Sequence, residues 1–185
     1  MLSGPQIFSG YYKDEAATRE SLTDDGWLMT GDIGKLDEEG FLFITGRKKE
    51  FIKTSTGKKI APLYLENLCK RNHLISNVMV YGDNKNYLVA LITLNQVEMV
   101  AYAQSRRIAY KEYAQLTQSK EIREIVEKIV QEVNQKVSTT EQIKKYTILS
   151  KDFSIEANEI TPTGKVKRNV VSEKFKSLIE GMYAQ

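Results

Sequence analysis

Residues 31–59, GDIGKLDEEGFLFITGRKKEFIKTSTGKK, divide the chain into two parts of opposite charge. The stretch follows Thr30, passes through a short hairpin, reaches Gly46-Arg47 and ends in a glycine- and lysine-rich turn. Residues 1–46 carry three basic and nine acidic residues, whereas residues 47–185 carry 24 basic and 15 acidic ones. A change in the sign of the net charge at a glycine–arginine junction indicates two structural units that meet there.

The length and composition of the chain predict one hydrophobic core with a smaller additional segment. The chain has 185 residues, 41% hydrophobic and 28% charged, which is typical of a globular domain. A net charge of +3 is too weak to indicate a dedicated nucleic-acid binder. No signal peptide and no run of 18 apolar residues is present, so we expect a cytoplasmic location and no membrane span.

The single cysteine, Cys69, excludes an internal disulfide and suits a reducing compartment. Together with the single histidine, His73, it offers too few ligands for a cysteine–histidine metal site. The two residues lie four apart in a predicted helix, and we expect them to pack on a helix face. No metal site is therefore predicted in this chain.

The acidic first part is short and interrupted by glycines. A helix is predicted over residues 14–22, a strand over 27–30, and a hairpin of strands 33–36 and 41–45 that turns at Gly40. These elements hold too little periodic apolar sequence to close a core. We therefore expect residues 1–46 to be the edge of a larger domain that lies outside this chain.

The rest of the chain predicts an α+β domain, a small mixed sheet covered by helices. The segment 87–94, YLVALITL, is almost entirely apolar, which indicates a central strand buried on both faces. Residues 119–137 have apolar residues at helical spacing. The other predicted strands are 50–53, 59–60, 76–81 and 146–149, and the other predicted helices are 62–72, 96–105, 110–116 and 169–182.

Three local patterns could carry chemistry, and each has a plain structural explanation beside it. Asp32 on a glycine turn can accept two hydrogen bonds from a vicinal diol such as a ribose, or it can simply cap the turn. Six basic residues among residues 47–59 suit phosphate contacts, or form a solvated basic hairpin. Lys165 follows Thr161-Pro162-Thr163-Gly164 and can meet a developing negative oxygen, or it is a surface lysine.

Taken together and in this order, the motifs resemble a known family. GYY (10–12), GWLMTGDIGKLDEEGFLFITGRKKEFIK (26–53), GKKIAP (57–62) and TPTGKVKR (161–168) are similar to the C-terminal part of the adenylate-forming enzymes. This superfamily includes acyl-CoA synthetases, luciferases and peptide-synthetase adenylation domains. The helical insertion at 96–140 and the longer turn TSTGKKIAP resemble the long-chain fatty acyl-CoA synthetases, including the bubblegum type.

The resemblance implies roles for four residues in the first half-reaction and in the movement between states. Asp32 would hold the ribose hydroxyls of ATP and of the acyl-adenylate, and Arg47 would reach the same ribose and the phosphate. Lys49 would be the hinge about which the C-terminal domain swings. Lys165 would be the catalytic lysine of adenylation, bridging the carboxylate and the α-phosphate.

The resemblance also implies a site for coenzyme A. Gly57, with Ser55, Thr56 and Lys58, would line the pantetheine tunnel and contact the phosphates in the second half-reaction. Lys53 is a weaker assignment, as is Lys59, because the longer turn makes the alignment ambiguous. Two states of one swinging domain would present first Lys165 and then Gly57 to the active site.

These implications define the expected organisation. Residues 1–46 would be the edge of the large AMP-binding domain, 47–49 the hinge and 50–185 the mobile C-terminal domain. Fatty acid, ATP and coenzyme A would be the substrates of the whole enzyme, with Mg²⁺ entering with ATP and finding no ligand here. The missing N-terminal domain would hold the phosphate loop and fatty-acid tunnel, so the chain alone is expected to be inactive.

Two alternatives remain open from the sequence. The parent enzyme could activate another carboxylic acid and transfer it to coenzyme A or a carrier protein. The chain could instead be a non-enzymatic module whose basic residues, among them Lys144 and Lys145, bind anionic lipid or RNA. Phe51 is the only aromatic residue in 47–59, which argues against nucleic acid, whereas peripheral membrane contact stays compatible with the pattern.

Overall fold

The computed structural model describes residues 1–184 and divides into two compact units, Met1–Phe51 and Ile52–Gln185. The first unit contains helix α1 and the antiparallel hairpin β1–β2, followed by a 3-10 turn at Lys48–Glu50. Their bounds are α1 Glu15–Ser21, β1 Asp32–Leu36 and β2 Leu42–Arg47.

The hairpin of the first unit forms where the sequence predicts it. The Asp37 carboxylate accepts hydrogen bonds from the Glu39 and Phe41 amides, at 3.0 and 2.8 Å. Gly40 adopts a φ of 85°, a conformation that residues with a Cβ rarely adopt. The pairing register places Asp32 opposite Arg47 at the open end of the hairpin.

The strand predicted over residues 27–30 is wrong. Leu28 makes only isolated bridges to Leu2 and Leu22, and no ladder extends from them. Trp27 and Met29 are exposed. This short apolar segment therefore does not form a strand with a buried face.

The second unit is built on a three-stranded sheet in the order β5-β6-β7. The central strand β6 runs antiparallel to β5 and parallel to β7, which makes the sheet mixed as predicted. The parallel pair needs a crossover connection, and the helical insertion between β6 and β7 provides it. The strands are β3 Ile52–Lys53, β4 Lys59–Ile60, β5 Ile75–Tyr81, β6 Leu88–Leu94 and β7 Ile143–Ile148.

Strand β6 is buried along its whole length, as its apolar sequence predicts. Its two faces belong to separate clusters, one containing Ala90 and Ile92 and the other containing Val89 and Leu91. Residues of α2, α3, α4 and α5 pack in the first cluster, and residues of α6 and α7 pack in the second. The helices are α2 Pro62–Lys70, α3 Gln96–Ser105, α4 Tyr113–Gln118, α5 Lys120–Asn134, α6 Arg168–Lys174 and α7 Lys176–Tyr183.

Several element bounds differ from the prediction. Helix α2 ends at Lys70, so His73 lies outside the helix and does not share a helix face with Cys69. Strand β7 begins at Ile143, earlier than predicted. The single predicted C-terminal helix is broken at Phe175, whose φ of −105° and ψ of 21° depart from helical values.

Candidate functional site

Asp32 and Arg47 lie side by side at the open end of the β1–β2 hairpin. The guanidinium Nε of Arg47 donates a hydrogen bond to the Asp32 carboxylate at 2.8 Å. Gly31, with a φ of 72°, forms the turn into β1, and its carbonyl accepts a hydrogen bond from the Lys48 amide at 2.8 Å. The Asp32 amide donates to the Thr30 hydroxyl, which holds the turn. The fold therefore brings a carboxylate and a guanidinium into one place, where both could contact a sugar and its phosphate.

Lys49 lies in the 3-10 turn at the end of the first unit. Its ammonium is 3.8 Å from the Glu20 carboxylate, and its side chain is 90% exposed. An exposed pair at this distance contributes little to stability. The backbone around Lys49 is therefore not held by a strong side-chain interaction.

The turn between β3 and β4 carries the residues predicted to contact coenzyme A. Thr54 is buried and its hydroxyl accepts a hydrogen bond from the Lys58 amide at 3.2 Å. Gly57 has a φ of 81° and donates its amide to the Thr54 carbonyl at 2.9 Å. Ser55, Thr56, Gly57, Lys58 and the preceding Lys53 are all exposed.

Residues of two other loops support this turn, and sequence reasoning missed them. The Ser55 amide donates to the Lys85 carbonyl at 3.1 Å, and the Lys53 amide donates to the Asp83 carboxylate at 3.1 Å. The Lys58 ammonium donates to the Thr140 hydroxyl at 3.4 Å. These partners are 30 or more residues away in sequence, so no local pattern could have indicated them.

Lys165 lies in an exposed hairpin loop between Ile160 and Val166, which form an isolated antiparallel bridge. The Thr161 amide donates to the Lys165 carbonyl at 2.8 Å, and the Lys165 amide donates to the Thr161 hydroxyl at 3.1 Å. Gly164 adopts a φ of 77° to close the turn. Within residues 1–184, no hydrogen bond or ion pair engages the Lys165 ammonium, so it can meet an anion.

The predicted residues thus form three separate groups. Asp32, Arg47 and Lys49 belong to the first unit, whereas the Thr54–Lys58 turn and the Lys165 loop belong to the second. No hydrogen bond within the described part of the second unit joins that turn to the Lys165 loop. A groove of about 610 Å³ runs along β7 beside Tyr146 and Leu178 and contains no residue of these three groups. Its lining does include Lys144 and Lys145, the basic residues named for the alternative of anionic lipid or RNA binding.

Groups with shifted pKa values lie outside these three groups. The pKa of the Cys69 thiol is raised to about 12, mainly by burial and to a smaller extent by the charge of the nearby Glu66 carboxylate. The pKa of Tyr113 is raised to about 12, mainly by burial and to a smaller extent by the negative charge of Asp152. Burial also raises the pKa of Tyr146 and of Tyr183. Cys69 is a packing residue rather than a nucleophile, because the thiolate is the reactive form.

Residues 1–184 provide neither a cluster of metal-ligating side chains nor a membrane-spanning helix. This part of the chain holds no group of three or more histidine, cysteine, aspartate or glutamate side chains able to hold a metal ion. None of its helices combines the length and the apolar character needed to cross a bilayer.

Curated relatives match nearly the whole chain. A long-chain-fatty-acid–CoA ligase, FadD15 of Mycobacterium tuberculosis, is 43% identical over 184 residues, which cover 99% of this chain and 30% of the relative. The ligase ACSBG2 of Gallus gallus is 36% identical over 200 residues, covering 98% of this chain and 26% of the relative. The chain therefore spans 26% to 30% of the length of these relatives.

Solved structures match the fold. The adenylation domain of a carboxylate reductase from Mycobacterium chelonae superposes with a TM-score of 0.73 at 22% identity, covering 97% of this chain and 26% of that one. The adenylation–carrier didomain of the carboxylic acid reductase from Segniliparus rugosus, in complex with AMP, gives a TM-score of 0.69 at 25% identity, covering 97% and 24%. The resemblance inferred from the motifs is confirmed at the level of fold.

A family model covers the whole second unit and the end of the first. The AMP-binding enzyme C-terminal domain model matches residues 49–185. The match includes the Thr54–Lys58 turn and the Lys165 loop. This chain belongs to the AMP-binding enzyme C-terminal domain family.

Proposed function

We propose that this chain is the C-terminal part of a long-chain fatty acid–CoA ligase. The whole enzyme joins a fatty acid to ATP to give acyl-AMP and pyrophosphate, and then transfers the acyl group to coenzyme A. The observation that carries the proposal is the 43% identity to a ligase of that name along 99% of the chain. The names of these relatives support coenzyme A as the acceptor rather than a carrier protein.

The proposed organisation has a large domain, a hinge and a mobile domain. Residues 1–46 complete the large AMP-binding domain, 47–49 form the hinge at Lys49, and residues 50–185 swing. The weak exposed contact of Lys49 supports this assignment, because a hinge backbone must change its dihedral angles at low cost. The division of the chain after Phe51 is compatible with a pivot in this region.

In the first half-reaction, Asp32 and Arg47 bind the ribose and phosphate while Lys165 approaches the α-phosphate. A carboxylate accepts several hydrogen bonds, so Asp32 can keep its bond to Arg47 while it accepts those of a diol. The exposed Lys165 ammonium stabilises negative charge that develops as the fatty-acid carboxylate attacks phosphorus. Mg²⁺ would enter with ATP, and since residues 1–184 offer no cluster to hold it, we assign no step to it.

In the second half-reaction, the Thr54–Lys58 turn approaches the acyl-adenylate. Gly57 carries no side chain, which leaves room beside its backbone for the narrow pantetheine arm. Lys53 and Lys58 offer positive charge to the phosphates of coenzyme A. The enzyme would work in the cytoplasm, with peripheral membrane contact where its fatty-acid substrate partitions.

The test is Lys165→Ala in the complete protein that contains this chain. Pyrophosphate release from fatty acid and ATP should fall about 100- to 1,000-fold, because one charge-stabilising group is removed. Thioester formation from supplied acyl-AMP and coenzyme A should stay within a few-fold of the wild type. Lys151→Ala, which removes another exposed lysine of the same unit, is the matched control and should leave both steps unchanged.

Two results would contradict the proposal. Equal loss of both half-reactions in Lys165→Ala would show that the lysine supports the structure instead of adenylation. Acyl-CoA formation by the 185-residue chain alone, given ATP, Mg²⁺, palmitate and coenzyme A, would show that no large domain is needed.

A further inference from the structure

The hairpin loop that carries Lys165 is attached to the second unit by two carboxylate–cation pairs. One carboxylate, Glu159, lies just before the loop, and the other, Glu66, belongs to helix α2. The cations are Arg168 and Lys174, the first and last residues of helix α6. Helix α6 follows the loop directly, so both of its ends are fixed by side-chain contacts.

The pair between Arg168 and Glu66 sits on the edge of strand β5. The Val80 amide donates to the Glu66 carboxylate at 2.8 Å, and one terminal nitrogen of Arg168 donates to the Val80 carbonyl at 2.9 Å. The other terminal nitrogen of Arg168 donates to Glu66. The side chain of Glu66 is 10% exposed and that of Arg168 26%. The planar guanidinium thus holds helix α6 in one orientation against the sheet.

The pair between Lys174 and Glu159 holds the other end of α6 to the segment before the loop. The Lys174 ammonium lies 2.8 Å from one Glu159 oxygen, and the Ser154 amide donates to the other at 3.0 Å. The side chain of Glu159 is 5% exposed. In addition, the Lys167 amide donates to the Glu159 carbonyl at 2.7 Å, which joins the two strands of the hairpin at their base.

Stability of the fold alone does not explain these two ion pairs. Burying a carboxylate is costly unless it is paired, and apolar residues of the same volume are often as good for stability. What a hydrogen-bonded ion pair adds is a fixed orientation. Between its two attachments the loop has only a short turn, itself closed by the Thr161 hydrogen bonds, so the position of the Lys165 backbone follows from them.

We infer that Arg168 and Lys174, through Glu66 and Glu159, are positioning residues that hold Lys165 in the orientation needed for adenylation. They act through Lys165 and need not contact the substrate. The inference rests on the proposed role of Lys165 in the first half-reaction. A displacement of the loop by about 1 Å would be enough to slow that step by about 100-fold.

The experiment is a double-mutant cycle in the complete protein, with Arg168→Lys, Lys165→Ala and the combination of the two. Arg168→Lys keeps the charge but removes the planar fork. Alone, it should lower kcat for acyl-AMP formation by about 10- to 100-fold, with the KM for ATP and the thioester step unchanged. In the Lys165→Ala background it should cause no further loss, because its effect passes through Lys165.

A matched control and a second pair of variants accompany the cycle. Arg123→Lys changes an arginine of α5 that contacts Gln118 and should leave both steps unchanged. Lys174→Gln should reproduce the adenylation defect, and Lys174→Arg should restore the activity. This second pair carries the test if Arg168→Lys does not fold.

The possible outcomes separate the inference from the proposed function. If Lys165→Ala itself leaves adenylation intact, the proposed function of the loop is wrong, and the inference falls with it. If Lys165→Ala abolishes adenylation but Arg168→Lys does not slow it, only the inference is overturned. It is equally overturned if Arg168→Lys slows both half-reactions alike, or if its effect persists in the Lys165→Ala background.

Discussion

The only cysteine of the chain has a structural role that its surroundings explain. Cys69 is fully buried on helix α2, among residues of the first hydrophobic cluster. Burial disfavours its thiolate, and the neighbouring Glu66 carboxylate adds electrostatic repulsion, so the pKa of the thiol rises to about 12. The same carboxylate forms the ion pair with Arg168, which links the environment of the thiol to the attachment of the Lys165 loop.

We expect Cys69 to resist thiol reagents while the chain is folded. At pH 8 a thiol with a pKa near 12 is ionised to only about 10⁻⁴, and the sulfur is also inaccessible. The rate of reaction with an aromatic disulfide reagent, followed by absorbance, should rise at least about 100-fold when guanidinium unfolds the chain. Labelling of the native chain as fast as that of a free cysteine would contradict this prediction.

At the scale of the element, helix α5 shows which sequence signal is reliable. Its buried residues follow the apolar spacing read from the sequence and are Ile122, Val126, Ile129, Val130 and Val133. The Ser119 hydroxyl caps the helix by accepting a hydrogen bond from the Ile122 amide at 3.4 Å. The apolar stripe of a strongly amphipathic helix faces the core, and here that stripe packs in the first cluster.

Substitutions at adjacent positions of α5 should therefore have very different effects. Ile122 is fully buried, and Ile122→Ala should lower the free energy of unfolding by about 2 to 5 kcal/mol, through lost burial and the cavity left behind. Glu121→Ala, on the exposed side of the same turn, should lower it by less than about 1 kcal/mol, because only the interaction of its carboxylate with the N-terminus of the helix is lost. Denaturant titrations of both variants measure the difference, and similar losses would mean that α5 does not pack as described.

Elements with strong periodicity could be predicted from the sequence, and contacts between distant segments could not. The apolar run of β6 is long enough to indicate a strand buried on both faces. The apolar spacing of α5 is long enough to indicate a helix and to identify its buried face. Residues 27–30 have the apolar composition of a short strand, but Leu28 makes only isolated bridges and no ladder forms. The bond between Arg168 and Glu66 spans 102 residues, so it exists only in the folded chain. For that reason Lys165 could be named from its motif, whereas its supports could not.

At the scale of the whole molecule, the two units differ in how they are stabilised. The second unit contains two hydrophobic clusters on either side of its sheet. In residues 1–51 only Gly46 is buried, and four consecutive apolar residues of the hairpin, Phe41 to Ile44, are each at least 50% exposed. A continuous exposed apolar stretch of this kind is typical of a surface that another domain covers. This supports the proposal that residues 1–46 complete a large AMP-binding domain.

The difference between the units predicts the course of limited proteolysis of the chain. Trypsin should cleave first at the Arg47-Lys48-Lys49 run and at Lys13, Arg19 and Lys35, because little burial opposes local opening in residues 1–51. It should leave a resistant fragment that begins between residues 48 and 54, as identified by mass spectrometry.

The exposed Lys120 and Lys128 on helix α5 are the internal control, since they are also exposed but lie on a helix packed against the core. Cleavage at these two lysines as early as at Arg47 would show that the second unit does not fold as a stable body, and would remove the basis for treating it as a domain that moves as a whole.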